Sequence, residues 1–244
     1  MNFPKNKYLT SMCKSSGEAD PLRAVAIYVD EHRKPGMTLA ELAKILGVSA
    51  IIEEKLPFEG GVFAEGDRLI IKVNSSSVPV RRRFTIAHEL GHLIISPGNA
   101  QSARRCLASN PLERACDCVA AELLMPFHEA MGSVEGRASM FALLSFADRF
   151  KVSLHAAAVR IKELEVWKES VGLWKWNGAA EQLWYVGKRL WIDQQLLAPA
   201  FERAIHSTTV VETDVLYSDT KGPHMAYLKI QRLGKDHILA FVLA

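Results

Sequence analysis

The sequence predicts an α+β fold: a helix-rich first part built round a short sheet, followed by a small α+β domain. Two observations predict it. Between Asp20 and Val166 apolar residues recur mainly at helical spacing, interrupted by the β-branched run "GDRLIIKVNSS", Gly66 to Ser76. From about Trp167 onward aromatic residues and alternation rise. They end in "AYLKIQRLGKDHILAFVLA", where two alternating apolar runs flank "LGKD" as the strands of a hairpin flank their turn. The reading is a tail over 1–20, a main domain over 21–166 and a small domain over 167–244.

The elements follow in order. "DPLRAVAIYVDEHRK" is a helix with Asp20 as N-cap and Pro21 at its first position, where a missing N–H costs nothing. Thr38 caps a second helix in "MTLAELAKILGVS", the first half of a helix-turn-helix by pattern. A DNA reader would then need a second helix, but "AIIEEKLPFEGGVF" is broken by Pro57, Gly60 and Gly61 and reads as strand and turn. After the Gly66–Ser76 strand, Ser77 and Pro79 open a long helix that Pro97 and Gly98 end. Asn99 to Asn110 is loop. Pro111 to Leu124 is a helix stopped before Pro126, and a helix pair runs from Ser139 to about Val166. In the last domain "VGLWKWN", "QLWYVG" and "TTVVETDVLY" read as strands, with one helix near "QQLLAPAFERAIH".

No run of eighteen apolar residues exists, so no membrane span is expected, and the first twenty residues lack the apolar core of a secretory signal. The expectation is a cytoplasmic protein with Cys13, Cys106, Cys116 and Cys118 as reduced thiols. The net charge of +3 is too small to indicate a nucleic-acid partner, and the clusters Arg81–Arg83 and Arg104–Arg105 read as a solvated helix face and a surface loop.

Chemistry concentrates in "RFTIAHELGHLII", Arg83 to Ile95. His88 and His92 are four apart, so on a helix both imidazoles lie on one face and can share a Zn²⁺ ion. Glu89, beside His88, turns towards the open position of such a site and can act as base. Phe84, Ile86, Ala87, Leu90 and Ile94 around them are apolar, and such polar groups are costly to bury without a partner. A catalytic zinc needs a third protein ligand, for which Glu113, Asp117, Glu122 and Cys106 are candidates. On the 111–124 helix Glu113 and Asp117 share a face, whereas Glu122 falls on the opposite side, where solvent is expected. Glu113 is the chosen ligand, with Asp117 orienting a ligand histidine. The competing reading of Glu113 is a capping box with Asn110. Cys116 is one turn from Glu113, but its helix should turn it into the core.

"RRRFTIAHELGH", followed by a helix reading E-x-x-x-D and ending "AAELLMP", resembles the ImmA/IrrE metallopeptidases, roughly from Leu39 to Leu164. The resemblance implies a zincin-like metallopeptidase domain, zinc bound by His88, His92 and Glu113, Glu89 as the catalytic base, and a protein substrate, usually a transcriptional repressor cut at one site. Cys116 and Val119 stand where alanine and phenylalanine are common, which reads as a change of packing. The C-terminal domain is similar in its place to the sensory domain of a subgroup, the CapP-like peptidases of anti-phage operons, and that likeness implies DNA as an activating ligand.

Three further expectations follow. The strand "RLIIKVN" would pair with an extended substrate, as edge strands do. Arg83, His128 and several tyrosines all remain open as stabilisers of the developing oxyanion. Cys106, between the two metal helices and flanked by Arg104 and Arg105, would bind zinc as a thiolate at about 2.3 Å and hold the enzyme latent. The opposing reading makes it a small apolar loop residue. The alternatives to an enzyme are a DNA-responsive regulator with a structural zinc and a helix-turn-helix transcription factor.

Overall fold

The computed structural model describes residues 36–95, 111–134, 137–187, 194–219 and 222–243. The predicted helix from Asp20, the loop from Asn99 to Asn110 with Cys106, and Cys13 lie outside the described residues. The chain divides into two compact units, Met1–Glu129 with Phe150–Val152, and Ala130–Arg149 with Ser153–Ala244.

In the first unit, helix α1 (Leu39–Ile45) starts where the sequence places it. Thr38 Oγ1 accepts the Glu41 N–H at 3.2 Å, and the Glu41 carboxylate accepts the Thr38 N–H at 2.8 Å, a reciprocal capping box. The chain then enters strand β1 (Val48–Glu54) without a second helix, so the helix-turn-helix alternative falls. Strands β2 (Gly60–Glu65) and β3 (Arg68–Asn74) complete a sheet in the order β1-β3-β2, with β1 parallel and β2 antiparallel to β3. The "RLIIKVN" strand is therefore central, with both its edges taken, and cannot receive a substrate strand. Its buried positions explain why: Ile71 and Val73 are fully enclosed, and a strand this apolar belongs in the middle of a sheet.

Helix α2 (Pro79–Ile95) lies against β2 and β3, and α3 (Pro111–Leu124) packs along α2. Two glycines permit these approaches. A Cβ on Gly60 would stand 2.5 Å from Thr85 Cγ2 and 2.8 Å from the Lys72 carbonyl oxygen, and one on Gly91 would stand 3.1 Å from the Cys116 Cα and carbonyl oxygen. Gly60→Ala should therefore push helix from sheet and cost about 1–3 kcal/mol of stability. Urea unfolding measures it, and an unchanged midpoint would refute so close a contact. Arg83 donates to the carbonyls of Phe150 and Lys151, which ties α2 to a distant turn and engages its guanidinium structurally.

Helix α4 (Phe127–Met131) follows Pro126 and was not legible in the sequence. In the second unit, α5 (Met140–Phe150, of which Phe150 belongs to the first unit) and α6 (Leu154–Glu163, N-capped by Ser153) precede a five-stranded sheet. Its strands are β4 (Ser170–Trp176), β5 (Ala180–Val186), β6 (Val211–Asp219), β7 (Gly222–Leu233) and β8 (His237–Leu243), in the order β5-β4-β8-β7-β6, and all their pairings are antiparallel. Helix α7 (Gln194–Ile205) covers one face, packing Leu197 and Phe201 against Trp174, Leu228, Ile230 and Ile238. On β8 five successive residues, Ile238 to Val242, are buried, which requires cover on both faces. Trp167 provides part of it, edge-on to Phe241 at 5.9 Å. Lys162 of α6 donates to the carbonyls of Trp167, Lys168 and Glu169 and holds the entry to the sheet. The α+β architecture is thus as the sequence predicts, although β8 is a continuously buried run and does not alternate. No described helix is long and apolar enough to cross a membrane.

Candidate metal centre

Helix α2 presents His88 and His92 on one face, their ring centres 4.9 Å apart and their planes at 74°. Helix α3 faces them. Glu113 brings one carboxylate oxygen to 3.1 Å from His88 Nε2 and the other to 3.5 Å from His92 Nε2. Asp117, one turn later, reaches His88 Nδ1 at 2.8 Å. Cys116 Sγ stands 3.3 Å from His92 Nδ1. Each ring thus turns Nε2 to Glu113 and Nδ1 to a neighbour of its own. His92 and Cys116 are buried; His88, Glu113 and Asp117 are progressively more open, so solvent reaches the site from that side.

Glu89, next to His88 on α2, is buried. With β3 central, the free edges of this sheet are those of β1 and β2, and α2 packs against β2.

Burial pushes the Glu89 carboxyl up to about 7, helped by the Glu113 charge and opposed by His88 and the Val62 N–H. Burial works against protonation of His88, yet the Asp117 hydrogen bond and the surrounding carboxylates outweigh it and its pKa is raised. His92 is lowered, first by burial and then by His88. The Glu89 shift has a consequence for stability. Between its ordinary 4.5 and about 7 the folded chain binds a proton that the unfolded chain has released, so stability falls as pH rises through that window. The penalty is complete above pH 7 and amounts to about 3 kcal/mol. Metal-free Glu89→Gln should therefore melt well above metal-free wild type at pH 8 and close to it at pH 5. Equal differences at both pH values in a calorimeter would refute the buried, uncharged Glu89.

Glu122 departs from the sequence reading. It is on the far side of α3 as expected, but it is 2% exposed, and its Oε1 accepts the Phe127 N–H at 2.7 Å. The chain turns back through Pro126 there, and the carboxylate caps the start of α4 where solvent was expected. His128 is exposed on α4, its ring edge-on to Phe127. Asn110, the cap partner of the competing Glu113 reading, lies outside the described residues, as does Cys106.

The donor atoms of His88, His92 and Cys116 all lie within 4.8 Å of one another, a group that could hold a metal ion. Cys116 is the member that sequence reading set aside: its helix does turn it inward, but inward on α3 is towards His92. Histidines one turn apart on a helix, with a buried carboxyl beside them and an acidic helix facing them, are the arrangement of the metallopeptidase class. More particularly, the IrrE N-terminal-like domain, a peptidase family, matches residues 32–162, and the chain belongs to that family. This agrees with the ImmA/IrrE resemblance and with a zincin-like domain. Among solved structures, a Mycobacterium tuberculosis transcriptional regulator shares the fold, at 14% identity and a TM-score of 0.53 over 91% of this chain and 75% of that one. No curated protein matches the chain.

Proposed function

We propose that this chain is a zinc-dependent endopeptidase that cleaves a partner regulatory protein, a transcriptional repressor, with residues 167–244 making cleavage respond to a signal such as single-stranded DNA. The observation that carries the reading is the Glu113 carboxylate, whose two oxygens reach the Nε2 atoms of both helix histidines. Tetrahedral zinc with ligand bonds of about 2.0 Å separates its ligand atoms by roughly 3.3 Å. The 3.1 and 3.5 Å spacings bracket that value, and the two-nitrogen, one-oxygen donor set suits zinc. His88, His92 and Glu113 would hold it, and Asp117 would fix the His88 ring.

When bound, zinc supplies Lewis-acid chemistry that polarises a peptide carbonyl and acidifies water. Glu89, the buried carboxylate beside His88, takes the proton of the attacking water and returns it to the leaving amine. Strand β2, an edge of the sheet against which α2 packs, would align an extended substrate through main-chain hydrogen bonds. The His-His-Cys group favours a second reading, a closed structural zinc in a regulator without peptidase activity.

The deciding experiment incubates the zinc-loaded protein with the transcriptional regulator encoded beside it, with and without single-stranded DNA. Wild type and Glu89→Gln are compared on a gel. Cleavage by wild type alone supports an enzyme; an intact regulator in every lane supports the structural zinc. DNA dependence supports a sensing role for 167–244.

A further inference from the structure

We propose that Cys116 is a positioning residue of the metal site: its sulfur accepts the Nδ1–H of His92 and thereby aims His92 Nε2 at Glu113. The inference rests on the reading above, in which His88, His92 and Glu113 hold the metal.

An imidazole has two nitrogens whose lone pairs diverge, so one ring cannot offer both to a single ion. For His88 the choice is visible, because the Asp117 carboxylate occupies Nδ1 at 2.8 Å and leaves Nε2 for Glu113. For His92 the same role falls to sulfur, with Sγ at 3.3 Å from Nδ1 and Glu113 Oε1 at 3.5 Å from Nε2. The two supports are successive residues of α3, and Glu113 lies one turn before them. A single helix thus supplies the shared carboxylate and both ring supports. The Gly91 contact allows this, since a Cβ there would press on the Cys116 backbone and move its sulfur away from His92.

The supports differ because their surroundings differ. Asp117 is at the exposed side, where a charged acceptor keeps its hydration. Cys116 is fully buried, where an unneutralised carboxylate would be costly and a thiol is not. A ligand histidine usually gives its second N–H to an acceptor, and loss of that acceptor lowers metal affinity about 10–100-fold.

The test compares wild type, Cys116→Ala and Cys116→Ser. Zn²⁺ affinity is measured by competition with a chelator, and cobalt(II) spectra and ¹⁵N NMR of the histidine rings are recorded. The expected result is about a 10–100-fold loss of affinity in Cys116→Ala, with most of it restored in Cys116→Ser, whose hydroxyl also accepts the N–H. Metal-free wild type should show His92 protonated at Nδ1, and Cys116→Ala a mixture of tautomers. Cobalt-loaded wild type should show no sulfur-to-cobalt charge-transfer band.

Such a band, lost in Cys116→Ala, would make Cys116 a ligand and overturn the proposal. Unchanged affinity in Cys116→Ala would also overturn it, leaving the metal site itself in place. Wild-type His92 protonated at Nε2 would overturn it without any substitution, should the alanine variant fail to fold. If wild type takes up neither metal, or His92→Ala binds as well as wild type, the site reading fails and this inference with it.

Discussion

Glu89→Gln should abolish proteolysis while leaving fold and zinc in place. Positioned proton transfer contributes about 10²–10⁴-fold to a rate, and an amide cannot take a proton from water. The carboxyl is suited to the task because it is buried beside His88, where burial raises its proton affinity in the metal-free chain. The substitution keeps the shape of the side chain and leaves the ligand residues untouched, so zinc content should stay at about one ion per chain. The check is a cleavage assay beside metal analysis of the same preparation. Persistent cleavage with zinc bound would remove Glu89 from the mechanism.

The second large effect is on the metal. His88→Ala, His92→Ala and Glu113→Gln should each lose most of the bound zinc. Glu113→Gln is the most telling, because it deletes one charge and almost no volume at the group that faces both Nε2 atoms. Glu122→Gln is the control. Glu122 caps α4 on the opposite side of α3, so its loss should change stability and not metal content. Dialysis against chelator followed by metal analysis reads both. Zinc retained in Glu113→Gln would leave the His88, His92 and Cys116 group as the holder and favour the structural reading of the site.

The sequence by itself determined the two histidines and their relation. A spacing of four on a helix puts them on one face whatever surrounds the helix, because 3.6 residues per turn is a local property. The same holds for the Thr38 cap, for the helix that carries Glu113 and Asp117, and for the alternating runs of the last sheet, since caps and periodicity are local. What faces a given side of a helix is not local, and there the sequence fell short. The far side of α3 looked like solvent until the turn at Pro126 placed α4 over Glu122. Cys116 looked like core until the approach permitted at Gly91 set it against His92 Nδ1. The strand before the motif looked like an edge, and only the pairing of β1 and β2 on either side of it made it central and left the edges to those two strands. The residues that bear the chemistry are chosen by type and spacing, which a linear chain displays. Their partners, burial and proton affinities come from contacts between segments distant in sequence, which exist only once the chain has closed on itself.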